Sequence, residues 1–316
     1  MPPRKERRPV GRTALDVSRI ILGCGNFGGI GSAPAFFGQG ESEEQAFAIM
    51  DTAWSLEIRD FDTADAYGGG RSETWIGRWR ARTGNEPTLT TKVFHSVEGD
   101  PTDHGLSRDR ILRQIDGSLA RLGVERVDTY LIHEPDPETT IAETLDAMEE
   151  TVREGKVGSV GASNVHVAWL DEAGDRLDVV QNSYSLLDRE SESVLEQCAE
   201  RGIAFSAFSP LAGGWLAGKY RRDQAPPGGS RMTMRPEPYL HLQDEAVYDG
   251  LERLAAAASE RGVDMPTLAF AWLLADPRIT AVVIGPRRPD HLDPAIVALN
   301  VELSPVERDE LASFFP

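Results

Sequence analysis

The amino-acid sequence predicts an α/β protein, a single (β/α)8 TIM barrel with an N-terminal hairpin and an extra C-terminal helix. Eight short apolar runs alternate with helical segments along the chain of 316 residues. The apolar runs are continuous, which is typical of parallel strands that are covered on both faces. No linker or change of composition divides the chain, and eight such units fit one barrel of roughly 250 residues or more. A doubly wound open sheet is the alternative.

Turn and capping residues place the elements along the chain. A turn signal at 11–13 predicts a hairpin over 6–18, which we expect to cover the N-terminal end of the barrel. We treat 1–316 as one domain and expect residues 1–6 to be disordered. The predicted strands are 18–22, 58–62, 88–93, 127–132, 157–161, 177–181, 203–208 and 281–284. The predicted helices are 42–54, 72–82, 107–122, 140–154, 166–173, 190–201, 244–261, 266–275, 289–299 and one from 304 onwards, with a long proline- and glycine-rich loop at 210–242.

Charge and composition exclude several classes of function. The net charge is −18, so a nucleic-acid partner, which needs a basic surface, is not expected. The sequence contains no apolar run long enough for a membrane-spanning helix. Two cysteines, Cys24 and Cys198, suit a reducing cytoplasm better than a disulfide framework. We therefore expect a cytoplasmic protein with a small-molecule partner, and an anionic ligand would need a local basic pocket.

A glycine-rich segment after the first predicted strand imitates a dinucleotide-binding motif. Gly23, Gly25 and Gly28 have the spacing G-x-G-x-x-G. That motif works where the last glycine opens a helix whose N-terminus meets a pyrophosphate. Here further glycines and Pro34 follow, which a helix would not tolerate. We therefore reject a Rossmann domain and predict a flexible rim over a pocket.

Polar side chains follow three neighbouring strands at the end where a barrel gathers its functional residues. Asp62 ends the second predicted strand, with Tyr67 five residues later, Lys92 ends the third and His133 follows the fourth. Each residue alone has an ordinary structural explanation, such as a turn, a surface aromatic or a solvated lysine. Four of them at one end would require four coincidences, and the chain has only four lysines among its 33 basic residues.

Together these four side chains predict a proton-donating site. A free tyrosine is a weak acid with a pKa of about 10, and a neighbouring ammonium lowers that pKa. Asp62 would hold Lys92 in place, and His133 would donate a hydrogen bond to a substrate oxygen. Such general acid catalysis accelerates a reaction by roughly 10²–10⁴-fold. The six histidines show neither H-x-H nor H-E-x-x-H spacing, so no metal site is predicted.

At these residues the chain closely resembles the aldo-keto reductase family. The resemblance rests on segments 62–68 with Ser72 and Glu73, 130–136, 158–164, 181–187 and 208–214 together with Lys92, and it extends from about residue 7 to 315. It implies NAD(P)-dependent reduction of an aldehyde or ketone to an alcohol on a barrel without a Rossmann domain. In that reaction Tyr67 would be the general acid, Lys92 would lower its pKa, and His133 would orient the carbonyl.

The resemblance also implies the binding residues. Ser163, Asn164 and Gln181 would hold the nicotinamide carboxamide, and Phe208 would stack on the ring. The other implied cofactor residues are Asn26, Phe27, Asp62, Ser209, Pro210, Leu211, Gly213, Lys219, Arg231, Gly285, Arg287 and His291. Loop 210–242 would therefore lie over the cofactor and supply the basic pocket. The expected substrate-binding residues are Phe27, Phe94 and His95, and the wider pocket wall would include Phe36, Phe37 and residues of 222–240.

One segment departs from the family pattern. Pro294 and Ala295 stand where the family commonly has Glu-Asn, so the usual adenine contacts are missing. Arg287 and Arg288 still offer two guanidinium groups beside a predicted helix N-terminus, an arrangement that favours a phosphate. We therefore expect NADPH in preference to NADH. The alternative function is a nicotinamide-binding regulatory subunit with little turnover, because the β subunits of potassium channels resemble this family. Sugars, quinones, steroids and small aldehydes all fit as substrates, in either direction.

Overall fold

The computed structural model describes residues 6–316, and its central feature is a closed barrel of eight parallel strands. An antiparallel hairpin of β1 (Arg7–Pro9) and β2 (Asp16–Ser18) precedes the barrel. The barrel strands are β3 (Ile20–Gly23), β4 (Asp60–Asp62), β5 (Thr88–Val93), β6 (Val127–Ile132), β7 (Val157–Ser163), β8 (Val179–Ser183), β9 (Ala204–Phe208) and β10 (Ala281–Ile284). They pair in chain order, and β10 closes the ring on β3 with Val282 opposite Ile20. The predicted barrel is thus confirmed.

Helices surround the barrel and bury their apolar faces against the outside of the strands. They are α1 (Glu43–Ser55), α2 (Arg71–Thr83), α3 (Arg108–Leu122), α4 (Ile141–Arg153), α5 (Val167–Ala173), α6 (Glu192–Arg201), α7 (Arg231–Met234), α8 (Glu245–Glu260), α9 (Met265–Leu274), α10 (Asp293–Ala298) and α11 (Pro305–Ala312). Short 3₁₀ turns cover Pro34–Phe36, Ala212–Ala217, Glu237–Leu242 and Pro289–Leu292. In the described chain, no helix combines the length and apolar character needed to cross a membrane.

Capping residues begin several helices as the sequence predicts. Ser42 and Ser304 each form a capping box with the third helical residue, Gln45 and Glu307. Ser107 stands at the N-cap of α3, but its side chain makes no capping hydrogen bond. Segment 210–242, expected as a long loop, contains short helical turns that fold against the barrel mouth.

The hairpin covers the N-terminal end of the barrel. Val10 and Val17 from the hairpin pack with Ile21 and Val179 from the barrel strands in a small apolar cluster. Gly11 has a φ of +54° and lies so close to the backbone of Asp178 that a Cβ would stand 2.3 Å from its carbonyl oxygen. The expectation of disorder at 1–6 concerns residues that lie, except for Glu6, outside the described residues.

Strand β4 begins two residues later than the apolar run at 58–62 predicts. The cause is Glu57, which has a φ of +65° in the turn after α1. This is the left-handed conformation that glycine adopts most easily. The chain therefore reverses at Glu57 and enters the barrel only at Asp60.

Candidate active site

The four predicted catalytic side chains converge at the C-terminal end of the barrel. Asp62 is the last residue of β4, Lys92 lies in β5 one residue before its end, and His133 follows β6 directly. Tyr67 comes from the loop between β4 and α2 and lines the same cavity as the other three. The parallel register brings these ends together, because neighbouring strands of the ring finish at one level.

Lys92 is held by a buried network below the cavity. Its Nζ donates hydrogen bonds to Asp62 Oδ1 at 2.5 Å and to the carbonyl oxygen of Thr63 at 2.9 Å. Asp62 Oδ2 accepts a second hydrogen bond from Gln181 Nε2 at 2.8 Å. Burial opposes the ammonium, but attraction to Asp62 and Tyr67 outweighs it and raises the pKa of Lys92 above its usual value. Lys92 is therefore a fixed positive charge.

Tyr67 stands between Lys92 and His133. Its hydroxyl lies 3.4 Å from His133 Nε2, and the Lys92 ammonium lies 5.2 Å from the centre of its ring. Burial raises the pKa of Tyr67 above 10, whereas the Lys92 charge and hydrogen bond lower it. Lys92 lowers the pKa in the expected direction, but burial has the larger effect in the protein alone. Tyr67 is therefore protonated at neutral pH.

His133 is a neutral imidazole. Burial, the Lys92 charge and the neighbouring His95 hold the pKa of His133 well below its usual range. Its Nδ1 has no hydrogen-bond partner within residues 6–316, and its main-chain carbonyl accepts a hydrogen bond of 2.9 Å from Asn164 Nδ2. A neutral ring with its proton on Nε2 can donate to an oxygen placed beside Tyr67.

The residues that follow β7 and β9 have unusual backbone conformations. Asn164 and Ser209 have φ values of +58° and +57°, although neither is a glycine, and both line the cavity. Asn182 holds the first of these turns by two hydrogen bonds with the backbone of Val165, at 2.7 and 3.1 Å. Such conformations cost roughly 1–3 kcal/mol each and cluster at ligand sites.

Behind the site lie two further buried carboxylates, Glu73 and Asp65. Glu73 accepts hydrogen bonds from Thr91 Oγ1 at 2.5 Å and from Arg121 Nε at 2.7 Å. Asp65 is fully buried, and neither of its carboxylate oxygens has a hydrogen-bond partner among the described residues. Burial and the nearby Glu73 raise the pKa of Asp65 well above its usual value. The environment of Asp65 therefore favours the neutral acid.

A cavity of about 1900 Å³ joins the catalytic side chains to a basic region. The predicted site residues that line it are Asn26, Asp62, Tyr67, Lys92, Phe94, His95, His133, Ser163, Asn164, Gln181, Phe208, Ser209, Pro210, Leu211, Gly213, Lys219, Arg231, Gly285, Arg287 and His291. Gly23, Gly25 and Gly31 line it as well, which agrees with the predicted glycine-rich rim.

Phe27 is a correction. Its side chain is fully buried in the main apolar core and does not line the cavity, so it contacts neither cofactor nor substrate there. The neighbouring Asn26 points the other way, and its side chain interacts with Arg231 and with Gly285. The two residues lie in a turn, where the Phe27 N–H donates to the carbonyl oxygen of Cys24 at 3.0 Å, and the turn directs their side chains apart.

The basic region lines the same cavity as Tyr67. It consists of Lys219, Arg231, Arg287 and Arg288, and we call these four residues the basic cluster. Burial and the charges of the three arginines lower the pKa of Lys219, which shows that the four cations feel one another. Arg288 is paired with the exposed Asp290 at 2.9 Å. This cluster is the local positive potential that a chain of net charge −18 needs for an anionic ligand.

Glu41 lies against the basic cluster, and the sequence offered no signal for it. Its Oε1 accepts a hydrogen bond of 2.7 Å from Arg287 Nε, and its Oε2 has no partner among residues 6–316. In the sequence Glu41 is only the residue before the capping box at 42–45. Nothing in that context indicates a buried carboxylate beside Arg287 and Arg231.

Aromatic and imidazole rings surround the open side of the catalytic residues. Phe94 and His95 pack edge to face at 5.1 Å, and His95 packs against His133 at 4.8 Å. Burial, Arg110 and His104 lower the pKa of His95 to about 4, so this wall is neutral at physiological pH. Phe36 was expected in the pocket wall but does not line the cavity. It lies beneath the guanidinium of Arg235, which does line it.

The residues present fit a nicotinamide dinucleotide. The cavity is larger than the 300–1000 Å³ of common ligand pockets, and both Tyr67 and the basic cluster line it. Gly213 lines it too and has no room for a side chain, because a Cβ would stand 2.5 Å from the ring of Tyr239.

The fold and the site define a class of protein, a barrel oxidoreductase that acts on carbonyl groups with a nicotinamide cofactor. A model of the aldo/keto reductase family matches residues 19–314, and the chain belongs to that family. It shares 35% identity with the uncharacterized oxidoreductase YrpG of Bacillus subtilis, over 97% of this chain and 95% of that protein. It shares 32% identity with the NADH-specific methylglyoxal reductase of Escherichia coli, over 94% of both chains.

A solved structure supports the same assignment. The crystal structure of a thermostable aldo-keto reductase, Tm1743, in complex with the inhibitor epalrestat, superimposes with a TM-score of 0.76. The match covers 98% of this chain and 99% of that one at 29% identity. The likeness therefore extends from the hairpin to the last helix and includes the strand ends that carry the site.

Proposed function

We propose that this protein is an NADPH-dependent carbonyl reductase in which Tyr67 is the general acid. The observation that carries the proposal is the position of the Tyr67 hydroxyl, 3.4 Å from the neutral His133 and beside the Lys92 ammonium that Asp62 holds. When bound, the reduced nicotinamide supplies a hydride for the carbonyl carbon. The chain's own residues must then place the carbonyl oxygen and deliver a proton to it.

We infer a part for each side chain in that step. His133 Nε2–H would donate a hydrogen bond to the carbonyl oxygen and orient it toward Tyr67. Tyr67 would transfer its phenolic proton to the same oxygen as negative charge develops there. Lys92 would stabilise the resulting phenolate, because its ammonium remains charged at all relevant pH values.

The same groove would hold the cofactor. Ser163, Asn164, Gln181 and Phe208 would contact the nicotinamide, and the basic cluster would contact the phosphates. Gln181 already donates its amide N–H to Asp62, so its Oε1 is the atom available for the carboxamide. The number of cations in the basic cluster favours the additional phosphate of NADPH. Both cysteines are buried and unpaired, in agreement with the cytoplasmic location that we propose.

The test is turnover with a panel of aldehydes and ketones. The wild-type protein should consume NADPH, followed by the absorbance of the reduced cofactor, and Tyr67→Phe should lose about 10²–10⁴-fold in kcat. The variant should bind NADPH as tightly as the wild type does, because the ring is retained. Equal turnover by both proteins would refute Tyr67 as the acid. Cofactor binding without any turnover would favour the regulatory alternative.

Arg287→Ala tests the preference for NADPH. If the guanidinium contacts the 2′-phosphate, the substitution should weaken NADPH by about tenfold or more and NADH much less, since each good charge-assisted contact contributes about 1.5–3 kcal/mol. Dissociation constants from tryptophan fluorescence would measure both. Equal weakening of the two cofactors would exclude that contact.

A further inference from the structure

Glu41 is an acidic side chain inside a cation site. Only 3% of its side chain is exposed, and it lines the cavity beside Arg287 and Arg231. A buried carboxylate in such a place repels any phosphate that enters, because two negative charges then share the same cations. The unpartnered Oε2 shows that the arginine does not saturate this carboxylate.

The backbone of Glu41 is fixed on both sides. Its amide N–H donates to the carbonyl oxygen of Asn26 at 2.9 Å, and its carbonyl oxygen accepts from Gly28 at 3.0 Å. The preceding Gly40 lies so close to the chain that a Cβ would stand 2.1 Å from the carbonyl oxygens of Asn26 and Gly29. The backbone of Glu41 therefore cannot withdraw when a ligand binds.

Arg287 is engaged by Glu41 and by the loop across the groove. Its Nε donates to Glu41, and one terminal nitrogen donates to the carbonyl oxygen of Gly229. Its backbone N–H also donates to His291 Nδ1 at 3.3 Å. A phosphate that binds Arg287 must therefore compete with a carboxylate that is already in position.

We propose that Glu41 is the internal counter-ion of Arg287 and the residue that limits the preference for NADPH over NADH. The inference rests on the proposed function, since it concerns the same cofactor groove. A 2′-phosphate meets the Glu41 carboxylate, whereas the 2′-hydroxyl of NADH does not. Loss of the Glu41 charge should accordingly strengthen the binding of NADPH and not that of NADH.

The charge state of Glu41 makes this preference depend on pH. Burial raises the pKa of Glu41 above its usual value, although the hydrogen bond and charge of Arg287 and the charge of Arg231 oppose that rise. The other charged or titratable groups nearby are Lys219, Arg288 and His291. Protonation of Glu41 at low pH releases Arg287 for the phosphate, so NADPH should gain relative to NADH.

The experiment compares the dissociation constants of NADPH and NADH for wild type, Glu41→Gln and the control Glu44→Gln. Glu44 is exposed in the first turn of α1, three residues after Glu41, and its substitution changes the net charge equally. We expect Glu41→Gln to shift the ratio of the two constants toward NADPH by about tenfold or more, because juxtaposed like charges cost several kcal/mol. Glu44→Gln should leave the ratio unchanged.

A second measurement follows the same ratio in wild type and Glu41→Gln as the pH falls from 8 to 5. Protonation of the phosphate itself weakens NADPH equally in both proteins, whereas protonation of Glu41 should favour NADPH in the wild type only. An unchanged ratio in Glu41→Gln, or the same pH dependence of the ratio in both proteins, would overturn the inference. Carbonyl turnover by the same wild-type preparation keeps the two proposals separate, because it supports the reductase whatever the binding ratio shows.

Discussion

Gln181 and Asp62 are joined across the barrel by a hydrogen bond of 2.8 Å. Their strands, β8 and β4, stand four places apart in a ring of eight, so they face each other across its axis. Asp62 in turn holds Lys92 from β5. The three residues form a polar bridge beneath Tyr67, and the position of the Lys92 ammonium beside Tyr67 depends on that bridge.

Substitution of Gln181 tests the bridge. Gln181→Met removes one donor from a buried carboxylate and should cost about 1–3 kcal/mol of unfolding free energy. Gln181→Glu keeps the shape but places a second carboxylate against Asp62, so it should cost more than Gln181→Met at pH 8. The difference should shrink at pH 5, since one proton shared by the two acids relieves the repulsion. Urea unfolding at both pH values measures this, and a Glu variant as stable as the Met variant at pH 8 would contradict it.

The pH dependence of turnover should be flat where histidines usually titrate. Burial, Lys92 and His95 hold the pKa of His133 well below 6.5, so the ring stays neutral and keeps its donor role as the pH falls from 8 to 6. At saturating cofactor, kcat should therefore show no inflection near pH 6.5. The comparison variant is His133→Gln, which has no titratable ring. An inflection near 6.5 in the wild type that vanishes in His133→Gln would show that the histidine is charged in that range.

Asp65 should lower the stability of the folded protein as the pH rises. Its pKa is raised in the folded state, so it contributes stability below its unfolded pKa of about 3.9 and loses that contribution as the pH rises through the folded pKa. Asp65→Asn removes the titration and keeps the size. We expect the melting temperature of the variant to rise relative to wild type between pH 4 and pH 8, by an amount equivalent to about 1–3 kcal/mol. A difference that is independent of pH would show that Asp65 does not titrate there.

Gly11→Ala should destabilise the hairpin. Alanine at a φ of +54° costs about 1–2 kcal/mol, and its Cβ would also collide with the carbonyl oxygen of Asp178 at 2.3 Å. Gly84→Ala is the matched control, because Gly84 has a φ of +72° and no atom near the position of its Cβ. Thermal unfolding should show a distinctly larger loss for Gly11→Ala. Equal losses of stability in the two variants would mean that the hairpin shifts to accommodate the added methyl group.

The strands, and the convergence of Asp62, Tyr67, Lys92 and His133 at one end of the barrel, could be predicted from sequence because their signals are local. The runs at 88–93, 127–132 and 281–284 have the bounds of β5, β6 and β10 as the structure has them. A buried strand between polar turns can be recognised from its short run of apolar residues. Lys92 and His133 then follow from one rule about parallel barrels, that strand ends converge.

The remaining features depend on contacts between distant segments. Glu41 meets Arg287 across 246 positions of sequence, and no local pattern links them. Phe27 and Asn26 were predicted together, yet the backbone turns one into the core and the other into the groove. The helical turns inside 210–242 pass through Gly213 and Gly214 at positive φ, a path that helix periodicity cannot describe.

The hairpin has a consequence for ligand access at the opposite end of the barrel. Because its side chains fill the bottom of the barrel, the groove and the catalytic residues share one entrance. Arg287 and the segment around Gly229 span the groove at that entrance. A long nucleotide and a small carbonyl compound that use the same opening cannot enter independently, so the release rate of each should depend on whether the other is bound.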